Sequence, residues 1–245
     1  MGLIKRLLSY NGSLEFKQLN DEIVTASFQH KFLVDKYLNH IKDKRVLDAG
    51  CWTGSFEKAL IEKGVTTELT GFDENETALN TARKEFPGFK FLQGKLTEPE
   101  EKFLANYKEY FDCVIFLDVI EHLPVQTELK VLKTLHSLLK PGGVIIMSTM
   151  ADHIFNFIDP AWFFGHRHYK LKTIENIFRE SRFQIAETLK IGNLYWDLDL
   201  LYFYIHKHIF RKTYRTSAKM TEEIMKGFNP PKIQTRFYLL AKKNV

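Results

Sequence analysis

The stretch Arg45-Val46-Leu47-Asp48-Ala49-Gly50-Cys51-Trp52-Thr53-Gly54-Ser55-Phe56 decides the fold. A short apolar run ends in an acid, a glycine-bearing turn follows, and a helix-like segment continues to Lys63. A second apolar run then ends at Gly71-Phe72-Asp73. A strand, a glycine turn and a helix, followed by a strand ending in an acid, form the opening of a nucleotide-binding α/β unit. The turn lets backbone approach a ligand closely, and the second acid accepts from ribose hydroxyls. This pattern points to an adenosine-containing ligand without saying which.

Outward from that unit, strands and helices alternate. Strand one is 45–49 with helix 54–63, strand two 67–72 with helix 75–86, and strand three 89–93. A helical or irregular stretch covers 97–110, and strand four is 111–117. Helix 125–139 stops at Lys140-Pro141-Gly142-Gly143, a helix end with turn glycines. Strand five is 144–148, a helix covers 171–181, strand six is 183–191, and Thr235-Arg236-Phe237-Tyr238-Leu239-Leu240-Ala241 reads as the last strand. Near-continuous apolar strands separated by helices predict a mostly parallel sheet covered on both faces. Ligands of such sheets bind outside the carboxyl ends of the strands, at the switch point near strand one.

The ends of the chain differ from this middle. Residues 1–44 read as a helical cap, with Phe28, Phe32, Leu33, Tyr37, Leu38 and Ile41 at helical spacing. The first residues, Met1 to Leu8, hold too short an apolar stretch for a signal peptide. Residues 45–193 form the core and 235–245 its final strand. Between them, 194–234 breaks the rhythm with Leu194, Tyr195, Trp196, Leu198, Leu200 to Ile205 and Ile209, a basic stretch, and Pro230-Pro231. It is too long for a tight connection. It reads as an aromatic and basic insertion with four open roles: packing on the sheet, a substrate lid, a homodimer face or a membrane contact.

The 245 residues suit one large domain or a domain with an appendage, and 44% hydrophobic with 27% charged residues is a globular composition. Two cysteines, Cys51 and Cys113, sit where buried strand ends are expected, so a disulfide framework is not expected and a reducing, cytoplasmic setting fits. No apolar run reaches the 18 or so residues of a spanning helix. The net charge of +5 is concentrated beyond residue 205. An ordinary solvated basic face is preferred there to a nucleic-acid groove, and an anionic lipid or phosphorylated substrate is a third reading.

Four motifs, in order and at consistent spacing over residues 45–190, carry a resemblance. They are Val46 to Gly54, Gly71-Phe72-Asp73, Phe111 to Leu123 (ending Leu117-Asp118-Val119-Ile120-Glu121-His122-Leu123), and Leu139-Lys140-Pro141-Gly142-Gly143. Together they resemble the class I S-adenosylmethionine-dependent methyltransferases, especially the branch acting on small molecules such as quinones, glycans and lipids. The resemblance implies a Rossmann-like α/β fold: a seven-stranded, mostly parallel sheet with helices on both faces and the last strand antiparallel. It implies S-adenosylmethionine as cofactor, S-adenosylhomocysteine as product, and a small-molecule acceptor.

It also implies roles. Asp48 would orient the first turn near the methionine ammonium, and Gly50 and Gly54 would leave room for the methionine and sugar. Asp73 would take the ribose hydroxyls with Glu74 assisting, or else cap the next helix. Leu117 and Asp118 would line the cofactor and the transfer site. Gly142 and Gly143 are explained by the turn alone. Two positions depart from the family pattern. Trp52 stands where members commonly carry glycine, so its side chain must point away from the cofactor or stack over it. Lys95 stands in the loop where members commonly place an acid on the adenine amine, and Lys95 cannot accept a hydrogen bond.

Methyl transfer from a sulfonium needs an oriented acceptor and, for a hydroxyl, removal of its proton. His122 in Asp118-x-x-Glu121-His122 is a candidate base, against a loop-orienting role for Glu121 and His122. Quinone-type members carry a similar element that is in some cases associated with a divalent metal, a role the sequence allows here without favouring. Gly165-His166-Arg167-His168-Tyr169 supplies the second candidates, His166 and His168. They either contact a phosphate, carboxylate or acceptor hydroxyl or dock the following helix. Trp162, Phe163 and Phe164 would add apolar walls. The leading expectation is O-methylation of a sugar, lipid-linked or aromatic hydroxyl. The alternatives are an RNA or protein methyltransferase and a non-catalytic cofactor-binding module. The Asn-Pro-Pro-Tyr element of amino-methylating members does not follow strand four, and a dehydrogenase would want a tighter glycine turn.

Overall fold

The structure, a computed structural model, describes residues 28–159, 162, 166–212, 214–228 and 233–244. The expectations for residues 1–27, for Phe163, Phe164 and Gly165, and for Pro230-Pro231 lie outside the described residues. The described residues form one seven-stranded sheet. Its strands are β1 (Arg45–Ala49), β2 (Glu68–Asp73), β3 (Lys90–Gln93), β4 (Phe111–Leu117), β5 (Leu139–Met150), β6 (Phe183–Ile191) and β7 (Arg236–Lys243), in the order β3-β2-β1-β4-β5-β7-β6. All adjacent pairs are parallel except those of β7, which runs antiparallel to both β5 and β6.

β4 shows why this sheet forms. Cys113, Val114, Ile115 and Phe116 are all buried, so the strand has no solvent face. Alternate residues enter opposite cores: Val114 and Phe116 join one, and Cys113, Ile115 and Leu117 the other. Each fully buried large side chain contributes about 1.5–3 kcal/mol relative to exposure. The first core is closed by α5 (Glu101–Tyr107), α6 (Glu128–Leu138) and α7 (Leu171–Glu180), through Phe103, Val131, Leu135, Ile174 and Phe178. The second is closed by α1 (Phe28–Lys36), α2 (Leu38–Ile41) and α3 (Ser55–Glu62), through Leu33, Ile41, Phe56 and Leu60. A third cluster packs α4 (Glu76–Glu85) through Leu79 and Ala82 against Phe86 and Phe91. Cys51 and Cys113 are buried and free.

Most element bounds shift by one to three residues from the expectation, and the largest shift of a strand is at the start of β5. β5 begins at Leu139, before Lys140-Pro141-Gly142-Gly143, because Leu139 pairs with Phe111 and pairing resumes at Cys113 and Val144 beyond an irregularity. The turn glycines are a kink inside the strand: Gly142 has φ +76°, and a side chain on Gly143 would press on the backbone of Lys140 and Asp112.

Within 194–234 the structure has α8 (Leu194–Ile205) and α9 (Ala218–Met225). Asn193 caps α8 by accepting from Trp196 N, and Ser217 caps α9 by accepting from Met220 N. Trp196 stacks on Phe228 and meets Phe28 edge-on, which ties α8 to α1 across the sheet's carboxyl edge. No helix of the described residues is long and apolar enough to cross a membrane.

Candidate functional site

The strand order reverses between β1 and β4, and the carboxyl ends of β1, β2, β4 and β5 converge there. The loop after β1 needs left-handed backbone at three places: Gly50 at φ +91°, Gly54 at φ +92° and Trp52 at φ +48°. Glycine suits the first two twice over, since a Cβ on Gly50 would overlap Val119 and one on Gly54 would overlap the Phe86 ring. The space these glycines leave is therefore taken by protein, and their effect on a ligand runs through the path of the loop. Trp52 adopts a conformation suited to glycine, and its side chain is 41% exposed.

Asp73 closes the loop from the next strand. Its Oδ2 accepts from Trp52 N at 3.0 Å and its Oδ1 from Asn75 N at 2.8 Å. The cap of α4 is Asn75, whose side chain accepts from Ala78 N, so Asp73 is not needed for that task. Two carboxylate oxygens offer about four acceptor positions, so Asp73 keeps capacity for a ligand. Burial raises the Asp73 carboxyl above its ordinary range, against the pull of those backbone N–H groups. Glu74 is exposed, and its carbonyl accepts from Gln93 Nε2. Lys95 is exposed.

Asp48 is buried at the end of β1. Facing it from the first turn of α3 is Glu57, fully buried, with no hydrogen-bond donor on either carboxyl oxygen. Burial, then the charge of Asp73, raises the Asp48 carboxyl, and burial, then the charge of Asp48, raises Glu57 well above its ordinary range. Contact between the two side chains lowers Asp48 and raises Glu57, which puts the proton on Glu57. An uncompensated buried acid beside a glycine loop, with a half-satisfied acid on the next strand, fits a ligand that carries an ammonium and a ribose.

At the end of β4 the backbone of Asp118 turns left-handed, at φ +54°. Its carboxylate accepts from Gln29 Nε2, Ser148 Oγ and Arg236 Nη1, each at 2.7 Å. Burial works to raise it, while Arg236, Gln29 and Ser148 outweigh burial and hold it below its usual range. Asp118 thus binds α1, β5 and β7 together. The single-turn helix Ile120–His122 separates its neighbours. Glu121 is buried with Oε2 accepting from Thr149 Oγ1, and burial, then the charge of Asp118, lifts it to about 8. His122 stacks on His166, ring centroids 4.6 Å apart, and is exposed to solvent. Burial against that neighbour, and then its charge, depress the His122 pKa.

His166 and His168 meet on Asp159, a residue the sequence reading did not single out. Asp159 Oδ2 lies 2.8 Å from His166 Nδ1 and 3.0 Å from His168 Nε2. His168 Nδ1 faces Asn156 Oδ1, which also accepts from His153 N, so both His168 nitrogens are committed. His166 Nε2 is buried without a hydrogen-bond partner, 4.0 Å from the equally unpartnered Glu121 Oε1. Arg167 does not reach toward a ligand. It donates to the carbonyls of Ile120 and Leu123 and pairs with Glu128, pinning the turn that carries Glu121 and His122. Two groups, Glu121–His122–His166 and Asp159–His166–His168, have ligand atoms within 4.8 Å of one another and the donor chemistry for a divalent cation.

The comparisons agree with this layout. The family model described as a methyltransferase domain matches residues 6–188. The ubiquinone biosynthesis O-methyltransferase of Histophilus somni is 32% identical over 122 residues, covering 48% of this chain and 49% of that protein. Its namesake from Stutzerimonas stutzeri is 30% identical over 119 residues, covering 48% of each. The chain spans about half the length of these curated relatives. Among solved structures, the phosphoethanolamine N-methyltransferase 2 of Haemonchus contortus in complex with S-adenosyl-L-methionine superposes with a TM-score of 0.66 at 16% identity, over 96% of this chain and 57% of that one. A SAM-dependent methyltransferase from Archaeoglobus fulgidus gives 0.59 at 18% identity, over 87% and 92%. With three quarters of its length matched by one family model and the fold in agreement, the chain belongs to the methyltransferase-domain family.

Proposed function

We propose that the protein transfers a methyl group from S-adenosylmethionine to a hydroxyl of a small aromatic or lipid-linked acceptor. The observation that carries this reading is that two half-built sites meet at the switch point, where the loop at Gly50 packs on Val119 of the turn that leads to Glu121 and His122. One is the Asp48, Asp73 and left-handed loop cradle; the other is the His122–His166–Asp159 cluster beyond β4 and β5. When bound, the cofactor supplies an activated methyl on sulfur. Asp73 receives the ribose hydroxyls, with Glu74 at the rim, and Asp48 receives the ammonium. The backbone of Gly50 and Gly54 shapes the loop, and Leu117 and Asp118 bound the cradle at β4. His122 is the exposed histidine of the cluster, and its depressed pKa leaves the ring neutral near pH 7, a weaker base than a free imidazole but the one placed to take the hydroxyl proton. His166 backs its face, and His168 holds Asp159. The two cation-capable groups share His166, whose ring is already bonded to Asp159, so acid–base work by the histidines is favoured over a metal.

The acceptor class rests on apolar exposure beside the cluster. Ile154, Phe157 and Trp162, on the loop after β5, are exposed, as are Tyr195 and Tyr202 on α8, which packs on that loop. We read 194–234 as the wall of the acceptor site, and this surface supports an acceptor presented at a lipid interface.

Calorimetric titration with S-adenosylmethionine and S-adenosylhomocysteine tests the cofactor. Binding of both is expected, and Asp73→Ala should cost about 1.5–3 kcal/mol of that affinity. Binding of neither at millimolar ligand overturns the reading. Mass analysis of phenol, catechol and sugar acceptors after incubation with labelled cofactor, with and without chelator, then assigns the hydroxyl and tests the metal.

A further inference from the structure

The buried acid Glu57 is the feature that the roles above leave unused. It lies in the first turn of α3 with no exposed surface, and its neighbours on the same helix, Phe56, Ala59 and Leu60, are packed core residues. A carboxyl in that setting costs several kcal/mol if ionised alone. Neither of its oxygens receives a hydrogen bond from an N–H or O–H group of another residue. It faces Asp48, and its Oε2 comes within 3.5 Å of the space above Gly54, so it lies directly beneath the loop. Asp73 on β2 adds repulsion to Asp48, and the Cys51 thiol in the loop is kept neutral by burial and by these acids. No cation acts on Asp48 or Glu57 among these neighbours, so the pair meets its charge problem by keeping a proton.

Resting on the proposed cofactor, we infer that Asp48 and Glu57 form a proton-holding ammonium site, with Glu57 a second binding residue that surrenders the shared proton when the amino-acid ammonium of the ligand docks. The step balances. One O–H bond of the carboxyl pair breaks, the proton passes to solvent buffer, and the pair's new negative charge is matched by the arriving ammonium. Asp48, with the small exposure of the two, meets the ligand, and Glu57, once ionised, adds its charge from behind Asp48. Repulsion from Asp73 raises the pair's hold on its proton in the free protein, and a neighbouring cation lowers it.

The test is calorimetric titration of the full chain with S-adenosylhomocysteine at pH 7 in phosphate and in Tris, whose ionisation enthalpies differ widely. The difference in observed heat counts protons released. The expected count approaches one, and affinity should rise up to tenfold per pH unit between pH 5.5 and 7. The probe 5′-methylthioadenosine, which keeps the ribose and lacks the ammonium, should bind with no proton release. Glu57→Gln should bind S-adenosylhomocysteine with the release abolished and the pH slope flattened. If that variant does not fold, the wild-type comparison of the two ligands decides alone. Binding of S-adenosylhomocysteine without proton release overturns the inference and leaves the cofactor reading standing. Equal release with both ligands overturns it too, because the proton then comes from the ribose side at Asp73. Binding of neither ligand overturns the cofactor reading itself, and the inference with it.

Discussion

Asp159 Oδ2 lies 2.8 Å from Nδ1 of His166, which places the ring proton on Nδ1 and leaves Nε2 as the acceptor nitrogen. The same oxygen engages His168, so one buried carboxylate sets the orientation of both histidines. Asp159→Asn keeps the size and removes the charge, and the His166 ring loses its reason to hold that tautomer. The expected result is a fall in kcat with the cofactor KM unchanged. His122→Gln should lower kcat by about a hundredfold or more. Steady-state kinetics against both substrates checks this, and a matching loss in cofactor KM would assign Asp159 to the scaffold alone.

The contrast between these residues explains what could be read from the sequence. β1, β4 and β6 were legible to the residue because Val46-Leu47, Cys113 to Phe116 and the run from Phe183 to Ile191 are bounded by turn residues. The start of β5 was hidden, since Lys140-Pro141-Gly142-Gly143 has the composition of a helix stop and only its pairing with β4 makes it strand. Asp48, Asp73 and the two histidine elements stood out by motif and spacing. Asp159, Gln29 and Arg236 did not, because their partners lie 7, 89 and 118 positions away and only the sheet order brings them together. Glu57 carries a signal in the sequence, an acid one residue after Phe56 and three before Leu60 on an apolar helix face.

Trp52 holds φ +48° with its side chain 41% exposed. Left-handed backbone costs a residue with a Cβ about 1–2 kcal/mol. Glycine avoids that cost and gives back about 0.5–1 kcal/mol through the freedom of its unfolded chain. Trp52→Gly should therefore raise stability by up to about 1 kcal/mol, about 2–4 °C in Tm for a chain of this size. Thermal unfolding monitored by circular dichroism measures it, and a loss of several degrees would mean that the indole carries packing its exposure does not suggest.

Arg236 is buried at the start of β7, 2.7 Å from Asp118 and with its guanidinium 4.7 Å from the Trp196 ring centre. Arg236→Met removes the cation and strands the Asp118 carboxylate, a change that costs about 3–5 kcal/mol when both partners are fully buried. The Asp118 side chain keeps 27% exposure, so the low end, about 3 kcal/mol, is expected near neutral pH. The Asp118 carboxyl titrates below its ordinary value in the folded protein, so its contribution is present above the usual carboxylate range and is lost as pH falls through the folded value. The penalty of Arg236→Met should shrink in acid. Urea unfolding at pH 7 and at pH 2.5 compares the two, and an equal penalty at both would mean that packing on Trp196 dominates.

Asp197 on α8 presents the opposite sign. It is buried, its Oδ2 has no hydrogen-bond partner, and the nearest ring nitrogen, His153 Nε2, is 3.5 Å away. Burial raises its carboxyl to about 7, with Arg236 pulling the other way. The folded state then binds a proton that the unfolded chain has already released, so stability declines as pH rises from the ordinary carboxylate range near 4 toward 7. Asn at this position keeps the shape and removes the titration. Asp197→Asn should leave Tm little changed at pH 5 and raise it at pH 8, where wild type bears the full cost of either an ionised buried acid or an unfavourable proton uptake. Paired melting curves at those two pH values decide the matter. A variant less stable than wild type at pH 8 would show that the ionised Asp197 is a working partner of Arg236 or His153, and that α8 is held in place by charge.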